Sequence, residues 1–196
     1  MTSEELVEME QQVAHHFGEV LKALRIDTQN DHNTRDTAKR VAKMYCREVF
    51  HGRFSPRPAI TEFPNAANLD EIYTLGPIQI RSACSHHFCP IVGELWVGVL
   101  PSSKVIGISK FARLADWVMS RPHIQEEAII MLADEMEQLI EPKGLALVFR
   151  ATHTCMTWRG VKETDTSMVT SVMRGIFRDN PSVKAEFLQI ISGQGY

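Results

Sequence analysis

The chain has 196 residues, 44% of them hydrophobic and 23% charged, with a formal net charge of −3 at pH 7. This composition excludes a disordered chain, its apolar runs are too short for a membrane span, and its small acidic excess argues against a general nucleic-acid or anionic-membrane surface. The start, Met1-Thr2-Ser3-Glu4-Glu5, lacks the basic-then-apolar order of a secretory signal, so the expected compartment is cytoplasmic and the four cysteines are expected to stay reduced.

In chain order, Leu6, Met9, Val13, Phe17, Val20/Leu21 and Leu24 recur at spacings of three and four, which predicts an amphipathic helix, with a capping box at Thr2 and Glu5. A polar break over 27–33 precedes a second predicted helix over 34–50, with Ala38, Val41, Tyr45 and Val49 inward and Arg40 and Lys43 on one face. The three prolines between Gly52 and Pro64 indicate an exposed connection, neither helix nor strand. From Tyr73 the apolar period becomes two, through Ile78 and Ile80 and again through Leu95, Val97 and Val99, which predicts strands. A turn at 101–104 and a short strand at 105–108 lead into a helix over 109–119, then a longer helix over 124–140 stopped by Pro142-Lys143-Gly144. A β-rich run over 145–151 and a last helix over 169–178 complete the pattern. The mix predicts an α+β protein with a mainly antiparallel sheet, organised as an N-terminal helical arm over 1–60 and a core domain over 61–196.

The chemistry concentrates in two segments, Cys84-Ser85-His86-His87 and His153-Thr154-Cys155. Thiolate and imidazole are the ligands zinc prefers, and a catalytic site needs three of them and an open position. On a strand, His153 and Cys155 share a face; Cys84 and His87 converge only if the chain turns between them, whereas an extended backbone would pair Cys84 with His86. Spacing alone leaves the third and fourth ligands open. A closed structural zinc site would more often draw on paired C-x-x-C knuckles, which this chain lacks, and the surplus imidazoles suit proton transfer near neutral pH. Cys46 and Cys89 stand apart from such company and are expected to be buried packing residues. Ser109, Lys110 and Arg113 open a helix and form a candidate phosphate site, to which Arg159 adds a cation near the second metal segment. Gln125-Glu126 pairs an amide with a carboxylate able to read the donor edge of a base; acids at helix starts are also common without any ligand.

Cys84-Ser85-His86-His87, Val105 to Arg113, Ile124-Gln125-Glu126, His153-Thr154-Cys155-Met156, Arg159-Gly160-Val161 and Glu186-Phe187-Leu188 together resemble the GTP cyclohydrolase I family. The resemblance extends over about 34–191 and implies a tunnelling fold, an antiparallel sheet with helices on one face, assembled as a homodecamer with active sites between subunits. It implies Zn2+ held by Cys84, His87 and Cys155, with His86 and His153 as acid/base groups and Gln125 and Glu126 on the guanine. The triphosphate would fall to Arg40, Lys43, Ser109, Lys110, Arg113 and Arg159. The implied reaction converts GTP and water to 7,8-dihydroneopterin triphosphate and formate, and serves tetrahydrofolate or pterin synthesis and one-carbon metabolism. No nucleic-acid or membrane partner is expected. The chain departs from the family's usual residues at Ser85, where Glu is usual, at Glu127, where Arg is usual, and at Met168, which replaces a hydroxyl. These departures keep two alternatives in view: a related cyclohydrolase with another purine nucleotide or product, and a non-catalytic nucleotide- or pterin-binding oligomer.

Overall fold

The structure is a computed structural model and describes residues 1–193. It divides into a first unit, Met1–Pro56, and a second beginning at Arg57.

In the first unit, helix α1 spans Ser3–Ala23. Its capping box forms: Thr2 Oγ1 accepts from the Glu5 backbone N–H at 3.1 Å, and Glu5 Oε2 accepts from the Thr2 N–H at 2.6 Å. The apolar stripe of α1 is only half covered, and of its expected inward residues Leu21 alone is buried. A turn follows, built on Asp27, whose Oδ1 accepts from the N–H groups of Gln29 and Asn30; these bonds, the one from Asn30 first, hold its carboxyl below the usual range. The helix predicted over 34–50 begins three residues later. Helix α2, Thr37–Lys43, passes into a π-helical stretch, Met44–Val49, and ends in the short α3, His51–Phe54. The inward face differs from the expected one: Ala42, Cys46 and Phe50 are buried while Ala38, Val41, Tyr45 and Val49 are only half covered, and the spacing of four from Cys46 to Phe50 follows the wider π turn. Cys46 is thus the packing residue expected.

The second unit is built on a sheet whose strands are β2 (Tyr73–Cys84), β3 (Pro90–Leu100), β5 (Pro122–His123), β6 (Gly144–His153) and β7 (Met168–Gly175), in the order β5-β2-β3-β6-β7. All neighbours are antiparallel except β5, which runs parallel to β2. Two short strands, β1 (Glu62–Pro64) and β4 (Lys104–Ile106), pair separately. The stretch expected to be neither helix nor strand therefore begins in α3 and ends in a strand, which its proline tolerates because it lies at an edge.

Alternation along the strands sorts side chains to two faces. Leu95, Val97 and Val99 of β3, with Leu145, Leu147 and Phe149 of β6, meet helices α4 (Ile108–Met119) and α5 (Gln125–Ile140) through Phe111, Leu114, Leu132 and Met136. The predicted inward residues of α5, Ile129, Leu132, Met136 and Leu139/Ile140, are all buried. The other face is covered in part as well: Trp96, Ala146 and Val148 pack with Phe177 of α7 (Ile176–Asp179) and Phe187 of α8 (Pro181–Ser192). Gly98 is the point of closest approach, since a Cβ there would lie 2.6 Å from the Phe187 ring.

The helix predicted over 169–178 is the clearest correction. Residues 168–175 form β7, whose Val169, Thr170 and Val172 are β-branched and whose register Phe149↔Thr170 extends the ladder of β6. Arg174 of β7 ties the edge to α5 through Asp134 and Glu137. No helix among the described residues is long and apolar enough to cross a membrane.

Candidate active site

Strands β2 and β6 flank β3 and run the same way, so both end at one edge of the sheet. Ile91 of β3 pairs with Ser82 on one side and His153 on the other, which places Cys84 and Cys155 each two residues beyond the same row. After Cys84 the chain turns back over 85–89: the Phe88 N–H donates to the Cys84 carbonyl at 2.8 Å and the Cys84 N–H to the Cys89 carbonyl at 2.9 Å, with Phe88 in the left-handed region at φ 54°. The chain therefore turns after Cys84, and the imidazole this turn sets against the Cys84 sulfur is that of His86. Cys155 does not continue a strand as the spacing argument assumed. Strand β6 stops at His153, and Cys155 lies in a helical turn, α6 (Thr154–Thr157), which redirects it.

The two thiols meet. Burial pushes the Cys155 thiol up, and the neighbouring Cys84, within hydrogen-bonding reach, adds to the shift, with Cys89 contributing further. Cys89, expected only as packing, is buried and also borders this pair. His86 and His87 are exposed on the turn with their rings edge to face. His86 Nδ1 lies 3.8 Å from Cys84 Sγ, while His87 Nε2 lies 3.4 Å from an Arg159 guanidinium nitrogen. Among the described residues no three Cys, His, Asp or Glu side chains already stand as a closed metal-holding set. The donor chemistry, two adjoining thiols with the His86 imidazole beside Cys84, fits zinc.

His153 is half-buried, which lowers its pKa, and the nearby Glu126 opposes that shift. Its Nε2 lies 2.7 Å from Gln125 Oε1. Glu126 is exposed at the start of α5, whereas Gln125 beside it is 1% exposed. The Ser85 N–H donates to the His123 carbonyl at 3.0 Å, and His123 Nε2 meets the Val118 carbonyl at 2.8 Å. Burial lowers the pKa of His123, and Arg121 adds to this while Val118 and Glu127 oppose it. Ser85 and Glu127, two positions of departure, thus both border His123.

These contacts put the thiol pair near the C-terminal end of α4. Ser109 and Lys110 occupy its opposite end, roughly 12–14 Å away from Val118 along the axis at about 1.5 Å per residue, and Arg113 lies midway, roughly 8 Å from Val118. No side chain caps this helix, so its first N–H groups remain free of such a partner, with Ser109 and Arg113 exposed and Lys110 half-buried. One chain therefore brings together Cys84, Cys155, His86, His87, His153 and Arg159, and holds Ser109 and Lys110 at the other end of α4, with Arg113 between. Arg40 and Lys43 lie on α2 in the first unit, both exposed.

The family model described as GTP cyclohydrolase I matches residues 13–192. The chain is 35% identical to GTP cyclohydrolase 1 of Shewanella baltica (strain OS185), over 92% of its own length and 84% of that protein's. It is 36% identical to that of Shewanella denitrificans, over 90% and 82%, and 35% identical to that of Vibrio parahaemolyticus, over 92% and 83%. Among solved structures, the apo form of archaeosine synthase QueF-Like overlaps with a TM-score of 0.41 at 13% identity, covering 61% of this chain and 97% of that one. With a family match along nearly its whole length and relatives of this identity, the chain belongs to the GTP cyclohydrolase I family of enzymes.

Proposed function

We propose that the protein is a zinc-dependent GTP cyclohydrolase I, converting GTP and water to 7,8-dihydroneopterin triphosphate and formate. The observation that carries the zinc reading is the meeting of the Cys84 and Cys155 thiols, from the ends of two strands distant in sequence, with His86 beside Cys84. By the family resemblance, Cys84, His87 and Cys155 would hold the ion, which when bound supplies a Lewis acid able to acidify water. His153 and His86 are the groups that hold and move protons as the imidazole ring of guanine opens at C8 and the resulting formamide is hydrolysed. Burial keeps His153 neutral near pH 7, ready to accept a proton and then return it. Glu126, exposed beside His153, is placed to accept from the guanine N–H edge.

Closure of the pterin ring from the ribose carbons depends on holding the chain by its phosphates. Arg159, beside His87, serves from the same subunit. Ser109 and Lys110, at the far end of α4, with Arg113 one turn further along, serve a site completed by a second copy, and this supports a homo-oligomer with sites between subunits. Arg40 and Lys43 are assigned to the triphosphate by the family resemblance.

The test is incubation of zinc-loaded protein with GTP, with formate and oxidised pterin fluorescence as readouts. Stoichiometric formate and a fluorescent pterin are expected; zinc-loaded protein that releases no formate refutes the proposal. Formate without pterin would instead favour the altered-product reading raised by Ser85 and Glu127.

A further inference from the structure

The buried carboxamide of Gln125 has an orientation its surroundings dictate. Its Nε2 lies 3.2 Å from the Phe149 carbonyl oxygen, 3.2 Å from that of Met168 and 3.1 Å from Thr170 Oγ1. A carbonyl oxygen only accepts, so the amide atom facing two of them is the NH2. Turning the amide over would set its oxygen against two backbone oxygens in a site with 1% exposure, which is costly in a buried setting. Thr170 is compatible with the same arrangement, because its hydroxyl is oriented to donate to the Phe149 carbonyl at 3.5 Å and leaves a lone pair for the amide.

The other end of the amide is then fixed as oxygen. It lies 2.7 Å from His153 Nε2, and an amide oxygen accepts without donating. His153 Nε2 therefore carries the hydrogen. In a neutral imidazole the lone pair that remains is on Nδ1.

We propose that Gln125 is the positioning residue for His153: it fixes the imidazole as the Nε2–H tautomer, so that Nδ1 is the nitrogen through which His153 exchanges protons with the substrate. This rests on the reading of His153 as a proton-transfer group, and it assigns the Gln125 side chain to that histidine and not to the guanine. The anchor is the sheet itself. Phe149 belongs to β6 and Met168 and Thr170 to β7, so the ring's orientation follows from the pairing of those two strands and from the first residue of α5. Side-chain length matters as well: Asn is shorter by one methylene and cannot span from the carbonyls to the ring, and Glu would set a second oxygen against them.

Solid-state 15N spectra of histidine-labelled protein without nucleotide, with His153 assigned by His153→Gln, read the tautomer in zinc-loaded and zinc-free samples. The expected result is a protonated Nε2 and a pyridine-like Nδ1. Gln125→Met keeps the volume and removes both polar ends; it is expected to give a tautomer mixture and to lower kcat for GTP by about 100-fold, within the usual worth of a positioned acid/base group, with KM changed less than about threefold. A protonated Nδ1 in the parent overturns the proposal. So does a Gln125→Met protein whose KM rises while kcat and tautomer stay as they were, the behaviour of a residue that reads the base. Should Gln125→Met fail to fold, the parent spectrum decides alone. Failure of formate release would strike the functional reading and leave the spectrum intact, whereas the wrong tautomer in an active enzyme strikes only this assignment.

Discussion

Gly98 and Phe187 should be strongly coupled, and the coupling can be measured. A Cβ on Gly98 would lie 2.6 Å from the Phe187 ring edge and 3.3 Å from Phe177. The ring has little room to give way, because Phe187 is fully buried and stacks edge to face on Phe177 with centroids 5.6 Å apart. Gly98→Ala alone is therefore overpacking and should cost about 2 kcal/mol, in the middle of the usual range. Phe187→Ala alone should cost about 3–5 kcal/mol, the ordinary loss for an emptied aromatic site. In the Phe187→Ala background the new methyl enters the vacated space, and Gly98→Ala should become neutral or slightly stabilising through the smaller entropy of the unfolded chain. The double-mutant cycle should then show about 2 kcal/mol of coupling, read from urea unfolding at one fixed protein concentration. Strict additivity would refute the claim that glycine is required here by the ring above it.

Cys84→Ala and Cys155→Ala should each reduce bound zinc to a small fraction of one per subunit, measured by elemental analysis after dialysis; full retention in either variant removes that residue from the ligand set. His153→Ala should lower kcat by about 10²–10⁴-fold while GTP binding by calorimetry persists. Mixing Lys110→Ala/Arg113→Ala subunits with Cys155→Ala subunits, each inactive alone, should restore a fraction of formate release on reassembly, because intact halves of α4 and of the thiol pair then meet across subunits; no recovery in verified mixed oligomers argues against shared sites. Asp27→Ala should lower Tm at neutral pH, and the deficit should close in acid. The carboxyl of Asp27 titrates below its unfolded value of about 3.9, so its contribution is complete above that value and is lost as pH falls through the folded pKa. A deficit that persists unchanged at pH 2 would show that the turn does not depend on the charge.

Much of this was legible in the sequence where local pattern and tertiary role agree. The capping box, the period-two strands and the inward stripe of α5 follow from residue spacing because each is satisfied by its own segment and one apolar neighbour. Strand β7 was hidden because Ile176 and Phe177, three to four residues past Val172 and Met173, complete a helical spacing that the chain uses for a different face. Helix α8 carried a readable start in Asn180-Pro181, with Asn180 Oδ1 accepting from the Ser182 N–H at 3.0 Å, but the family-like tail around Phe187 gave no element by itself. The π turn in the second helix has no spacing signature, since it depends on how Cys46 and Phe50 pack. At the site, the C-x-H-H and H-x-C segments were visible as chemistry. That Gln125 is bonded to His153 was not, because its two carbonyl anchors belong to strands whose pairing no local pattern reveals.

The row Ser82–Ile91–His153 also sets an order of events for a folding chain. Cys84 and Cys155 are about seventy residues apart, and closing so long a loop in a flexible chain forfeits several kcal/mol of entropy, in proportion to the logarithm of its length. A metal ion meeting the unfolded polypeptide would have to oppose that loss unaided. Once β2 and β6 are both zipped to β3, the loss has already been met by the ladder, and the thiols become neighbours as a by-product of strand pairing. A slip of β6 by one step would send His153 to the opposite surface of the sheet and undo the encounter. The thiol pair is thus a late reporter of correct register: during refolding, zinc capture should follow sheet formation in time, and a trapped misregistered species should have native-like strand content and no affinity for the ion.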